Sequence, residues 1–208
     1  MESSLKNMVV VLFTITLISS AAVGGVYMIT KEPIAQAKIA AVNSALQQVL
    51  PEYEATTSQT IEVNALPIVV HTATVADQAV GYAVESISKN GFGGTIRLMV
   101  GFDTKGTILN INVLEQKETP GLGTKMADEG NVLLASLKDK SAGEVKMTVK
   151  KDGGDIDALT AATISSRAYA EAVAVAYEAF KVACGWQTTA GDVATGATKQ
   201  AEKGGNNE

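Results

Sequence analysis

From Met8 to Ile29 the chain carries no charged residue. Twenty-two residues at about 1.5 Å each are enough to cross a hydrocarbon core about 30 Å thick. The run predicts a retained membrane-spanning helix over 8–30, after a short tail at 1–7. A cleaved signal peptide would show a shorter apolar core, about 7–15 residues, behind a basic start. Here Lys6 is the one basic residue ahead of the run, and Glu2 balances it. Beyond it, Pro33 can open a helix. Ile39, Val42, Leu46 and Val49 then recur at three- and four-residue steps, which predicts an amphipathic connecting helix over 31–51 that packs on the domain to follow.

Residues 52–186 read as one domain. Alternation over 68–76 and 79–87 around Asp77-Gln78 predicts a hairpin. Strands at 95–102 and 107–115 follow, joined by the turn Asp103-Thr104-Lys105-Gly106. A loop over 117–125, a short helix over 132–138 and a strand over 144–150 come next. The spacing of Tyr169, Val173, Ala176 and Phe180 predicts a helix over 164–182. Short antiparallel strands mixed with unlike helices point to an α+β fold. The segment 187–208 is small, polar and glycine-rich, the composition of a disordered tail.

Composition narrows the chemistry. One cysteine (Cys184) and one histidine (His71) exclude a thiolate-held iron–sulfur cluster, a structural zinc site and a c-type haem, so no metal site is expected. A net charge of −5 gives no footprint for nucleic acid. Redox chemistry in such a chain needs an organic cofactor.

Two loops carry candidate chemistry. In the first, Glu118-Thr119-Pro120-Gly121-Leu122-Gly123-Thr124-Lys125, Pro120 stiffens the backbone and the glycines let it turn sharply or approach a ligand. A plain surface turn would use the same residues. The second, Asp157-Ala158-Leu159-Thr160-Ala161-Ala162-Thr163-Ile164-Ser165-Ser166, runs into the 164–182 helix. Hydroxyls there serve equally as helix caps or as added donors to an anion at the helix N-terminus.

With Gly91-Phe92-Gly93-Gly94 and the strand after it, these loops resemble the FMN-binding domain family, and within it the G subunits of Rnf-type ferredoxin:NAD oxidoreductases. The resemblance runs from the apolar segment to about residue 182. The flavinylation pattern D-x-x-[ST]-G-A-T is met by Asp157, Thr160, Ala162 and Thr163, with Ala161 where the family usually has Gly. The resemblance implies FMN held as a phosphoester on Thr163, placed there by a separate flavin transferase. It further implies a phosphate near Ser165 and Ser166, and a flavin ring near Glu118, Thr119, Gly121, Leu122, Gly123 and Lys125. Glu118 and Lys125 would tune its potential, with no catalytic residue required.

The implied role is an electron-carrying subunit of a translocase, working with other subunits of the complex and with membrane lipid. The complex would couple ferredoxin/NAD electron transfer to Na⁺ or H⁺ movement at the bacterial inner membrane, with the domain on the extracytoplasmic side. The C subunit of the Na⁺-pumping NADH:quinone reductase and a stand-alone membrane-anchored flavoprotein carrier are the alternatives.

Overall fold

The computed structural model describes residues 5–186. The expected tail at 187–208 and the first four residues lie outside them. Helix α1 runs from Leu5 to Val49. It is long and apolar enough to cross a membrane, and its most apolar stretch is unburied by the protein. Two expectations are corrected here. Leu5, Lys6 and Asn7 are already helical, and the helix passes through Pro33 instead of starting there. Proline removes one backbone donor and crowds the preceding turn, but the long run of helix-compatible residues on both sides carries the helix on. The expected apolar face of 31–51 is also shorter than its spacing implied. Ile39 stays exposed, and within α1 only Ala45, Leu46 and Val49 are buried. The chain divides into two compact units between Asn43 and Ser44.

The domain is a five-stranded antiparallel meander in the order β1 to β5: Ala55–Val63, Leu66–Val75, Gln78–Ser88, Ile96–Phe102 and Ile108–Glu115. β1 was missed by the pattern, because its first six residues are exposed and only Ile61 and Val63 turn inward. Its turn to β2, Asn64-Ala65, has both residues at positive φ, as does Ala76-Asp77 between β2 and β3. Positive φ at both central positions marks the type I′ turn that suits a twisted hairpin. The second turn lies one residue earlier than expected. No regular strand forms over 144–150. Asp155 instead accepts from the Lys146 backbone N–H, a single bridge joins Val149 to Ile156, and Lys150–Asp152 is a 3₁₀ turn.

Helix α2 is short, Val132–Ala135, capped by the Asn131 side chain. Helix α3, Thr163–Ala183, packs along the sheet. Its inner stripe of Ala168, Tyr169, Ala172, Val173, Ala176, Ala179 and Phe180 meets Val84, Ile96, Leu98, Val100 and Phe102 in one buried core. The alanines bring helix and sheet close. The N-terminus of α3 is thereby set beside the loops that follow β3 and β5.

Candidate functional site

Glu118 is the residue on which three segments converge. Its side chain is buried. Oε1 accepts from the Gly93 N–H at 3.0 Å, and Oε2 accepts from Ser165 Oγ at 2.5 Å. The glycines around it serve this convergence. A Cβ on Gly93 would strike the Lys117 carbonyl, and one on Gly91 would lie 2.6 Å from Glu118 Oε1. One on Gly123 would lie 2.7 Å from Glu118 Cβ and 2.8 Å from Ser165 Oγ. The close approach that Gly123 permits is therefore of the protein to itself. Gly121 has a different need, a φ of 75°.

The hydroxyls at the start of α3 divide. Ser165 is spent on Glu118. Ser166 is buried, accepting from the Leu159 N–H at 2.9 Å and donating to the Ala162 carbonyl at 2.9 Å. That pair of bonds locks the Leu159–Ala162 turn onto the helix. Both serine hydroxyls thus spend their one proton on acceptors within the protein. Thr163 differs. It is half-buried, and its Oγ1 receives Lys151 Nζ at 3.2 Å. The residue ahead of it, Ala162, occupies the N-cap without any side-chain cap bond. Orphan first-turn N–H groups and the positive end of the helix dipole are the setting in which anions bind.

Thr163 lines a cleft of about 360 Å³ with Phe92, Thr119, Leu122, Gly123, Ala161, Ala162, Ile164 and Ser165. Phe92, Leu122 and Ile164 expose 68%, 40% and 46% of their surface. Three large apolar side chains left open at one cleft suit a flat apolar ring, so the residues present fit FMN. Phe92 and Ile164 had not been singled out for the site. An aromatic among glycines was the one available signal.

Of the other expected residues, Thr160 is exposed in the turn before α3. Asp157 pairs with Lys150 at 2.7 Å and lines a separate cavity of about 710 Å³ with Ser136, Asp139 and Lys140, not the cleft. Lys125 is exposed on the 3₁₀ turn Gly123–Ala127 and does not line the cleft. Ala161 has φ 59° at the third position of the Leu159–Ala162 turn, where glycine is the natural occupant.

Lys151 went unnoticed in the sequence. It reaches Thr163 because Lys150–Asp152 is bound at both ends: Lys150 to Asp157, and Asp152 to Arg167 through bonds of 2.7 and 2.8 Å. The Arg167 hydrogen bond holds the exposed Asp152 carboxyl below its ordinary pKa.

Residues 91–178 match the family model described as the FMN-binding domain. The G subunit of the ion-translocating oxidoreductase complex of Shewanella amazonensis is 34% identical over 190 residues, 83% of this chain and 86% of the relative. The Vibrio vulnificus protein of the same name is 34% identical over 177 residues, 77% of this chain and 83% of its own. The Escherichia coli one is 40% identical over 107 residues, about half of each chain. The matched span holds all three segments that meet at Glu118 and the cleft beside Thr163, and the chain belongs to the family of G subunits of ion-translocating oxidoreductase complexes.

Proposed function

We propose that this chain is the electron-carrying subunit of a membrane complex that couples ferredoxin/NAD electron transfer to Na⁺ or H⁺ translocation, with FMN esterified to Thr163. The observation that carries this reading is the position of the Thr163 hydroxyl. It sits at an uncapped helix N-terminus, on the wall of an apolar-rimmed cleft, inside the span matched by the FMN-binding domain model.

Attachment joins Thr163 Oγ1 to the FMN phosphorus. The phosphoanhydride bond of FAD breaks, AMP leaves, and the hydroxyl proton passes to the transferase or to water. When bound, the flavin supplies reversible electron exchange. The chain's own residues hold and shield it. Phe92, Leu122 and Ile164 would cover an apolar surface, Thr119 and Gly123 would border it, and the first-turn N–H groups of α3 would receive the phosphate. Glu118 acts one layer below, fixing Ser165 and the Gly93 loop so that both cleft walls keep their spacing. Helix α1 anchors the domain to the bilayer, with the domain on the extracytoplasmic side. There an ester bond prevents loss of the cofactor by dilution.

Coexpression with a flavin transferase tests the reading. The wild type should give a fluorescent band that survives denaturing electrophoresis, heavier than the polypeptide by FMN less one water. Thr163→Val should lose both signals, while Thr160→Val keeps at least part of the label. A label that persists in Thr163→Val, or maps outside residues 157–166, overturns the assignment.

A further inference from the structure

Three consecutive residues of one 3₁₀ turn each hold one position of the segment that opens α3. Lys150 binds Asp157 at 2.7 Å, Lys151 binds Thr163 Oγ1 at 3.2 Å, and Asp152 accepts from Nε and Nη2 of Arg167. Of these cations, Lys150 and Arg167 are matched with carboxylates. Lys151 is directed at a neutral hydroxyl. The Asp152 carboxylate also feels the Lys151 charge, but the hydrogen bond of the ammonium goes to the Thr163 hydroxyl, beside an uncapped helix start, where an anion carried on that oxygen would meet it.

We propose that Lys151 is the counter-ion of the phosphate esterified to Thr163, and that it holds the flavin's phosphate arm against the start of α3. The inference rests on the FMN–Thr163 reading and adds to it a residue that neither the flavinylation pattern nor the matched loops contain. The charges balance. A phosphate esterified on both sides keeps one negative charge, and one ammonium neutralises it. The arrangement also explains why the turn is tied down on both flanks. Lysine is a flexible point charge with three donors, and fixing the backbone at Lys150 and Asp152 limits where the residue between them can reach. Thr163 and Lys151 both stand open to solvent to some degree, so the contact should be sensitive to screening, with a Debye length of about 3 Å at 1 M salt.

The test uses the full chain, loaded by a coexpressed transferase, as wild type, Lys151→Met and Lys151→Arg. Peptide mapping first locates the flavin. Steady-state flavin fluorescence anisotropy is then read at low and at high salt. The expected result is a clear fall in anisotropy for Lys151→Met at low salt, a wild type that drops toward that value as salt rises, and Lys151→Arg close to wild type. Failure of Lys151→Met to load while Lys151→Arg loads also supports the assignment, because the charge alone separates the two. Anisotropy and salt response unchanged in Lys151→Met, with flavin on Thr163, overturn the role of Lys151 and leave the attachment reading intact. Impairment of Lys151→Arg equal to that of Lys151→Met overturns it too. Flavin mapped away from Thr163 removes the attachment reading, and this assignment with it.

Discussion

Thr163 and Ser165 stand two residues apart in the first turn of α3, yet their hydroxyls live in opposite surroundings. Ser165 is buried and bonded at 2.5 Å to a carboxylate that is itself buried and bonded to a backbone N–H. Thr163 opens on a cleft, and the partner of its hydroxyl is an exposed lysine. The difference comes from helix geometry. Positions i and i+2 are about 200° apart around an α-helix, so Ser165 is bonded to Glu118 beneath the cleft while Thr163, on the cleft wall, meets Lys151. A hydroxyl-rich helix start is thus not one uniform donor surface. Burial assigns one hydroxyl to architecture and leaves another available for chemistry.

The strongest way to break the closed half of this comparison is Glu118→Ala. It strands the Gly93 N–H and the Ser165 hydroxyl, and leaving buried groups unsatisfied costs about 1–3 kcal/mol each. We expect a loss of about 2–4 kcal/mol in chemical denaturation, with slower flavinylation because the cleft walls lose their spacing. Glu118→Gln, which keeps an acceptor, should recover most of the stability. Stability loss in Glu118→Ala below about 1 kcal/mol would mean that the acid is no brace.

A second carboxylate, this one only partly buried, sharpens the contrast, because its partners are titratable or charged. Glu85 accepts from Arg97 at 2.8 Å and meets His71 Nε2 at 3.0 Å, while Ser58 Oγ lies 2.8 Å from His71 Nδ1. The His71 hydrogen bond is the largest cause holding the Glu85 carboxyl below its ordinary value of 4.5, with Arg97 adding to it and burial opposing. A lowered folded pKa means that the folded state favours the ionised form. The stabilisation is complete above about pH 4.5 and fades as pH falls through the folded value. Glu85→Gln should therefore cost about 1–3 kcal/mol at pH 7. The gap between the two proteins should close below pH 4.5. Melting temperatures across pH measure this, and a gap that stays constant or widens in acid contradicts it.

Ala161 tests the open half. Its φ of 59° costs a residue with a Cβ about 1–2 kcal/mol, partly offset by the backbone entropy that glycine would lose on folding. Ala161→Gly should thus raise stability by about 0.5–1 kcal/mol and leave covalent loading in place. A lower melting temperature would show that the methyl group, which lines the cleft, makes contacts worth more than the strain.

The smallest change in stability belongs to Thr163→Val. Ala162, not Thr163, occupies the N-cap, so the usual cost of a lost cap does not arise. We expect a shift within about 0.5 kcal/mol by denaturation of the unlabelled protein. A drop above about 1 kcal/mol would place the hydroxyl among the structural ones.

Much of this molecule was legible in local pattern. The uncharged run within α1, the alternation in β2 and β3, the turn between β4 and β5 and the apolar stripe of α3 are each local patterns over contiguous residues, where backbone geometry acts directly. Periodicity failed where tertiary contact overrode it. β1 is an edge strand with six exposed residues, so its pattern lacks the alternation that burial imposes. The segment 144–150 has strand-like residues but is taken up by turns that bind Asp155 and Ile156. The spacing through Ile39 described a helix correctly and its burial wrongly, since packing begins only at Ala45.

The same division holds at the site. The sequence by itself determined which loops matter: a glycine-rich loop, a proline-stiffened loop and a threonine-bearing helix start are local signals, and the family pattern lies within them. Only the tertiary structure decided what each residue does there. It turned Gly123 into room for Glu118 and Ser165, set Asp157 on Lys150 outside the cleft, and gave the turn at Ala161 its positive φ. It also carried Lys151 to Thr163 across twelve residues. The physical reason is range. Propensity and periodicity act over one or two turns of chain, whereas the partner of a buried carboxylate or a lone hydroxyl is set by packing between segments far apart in sequence.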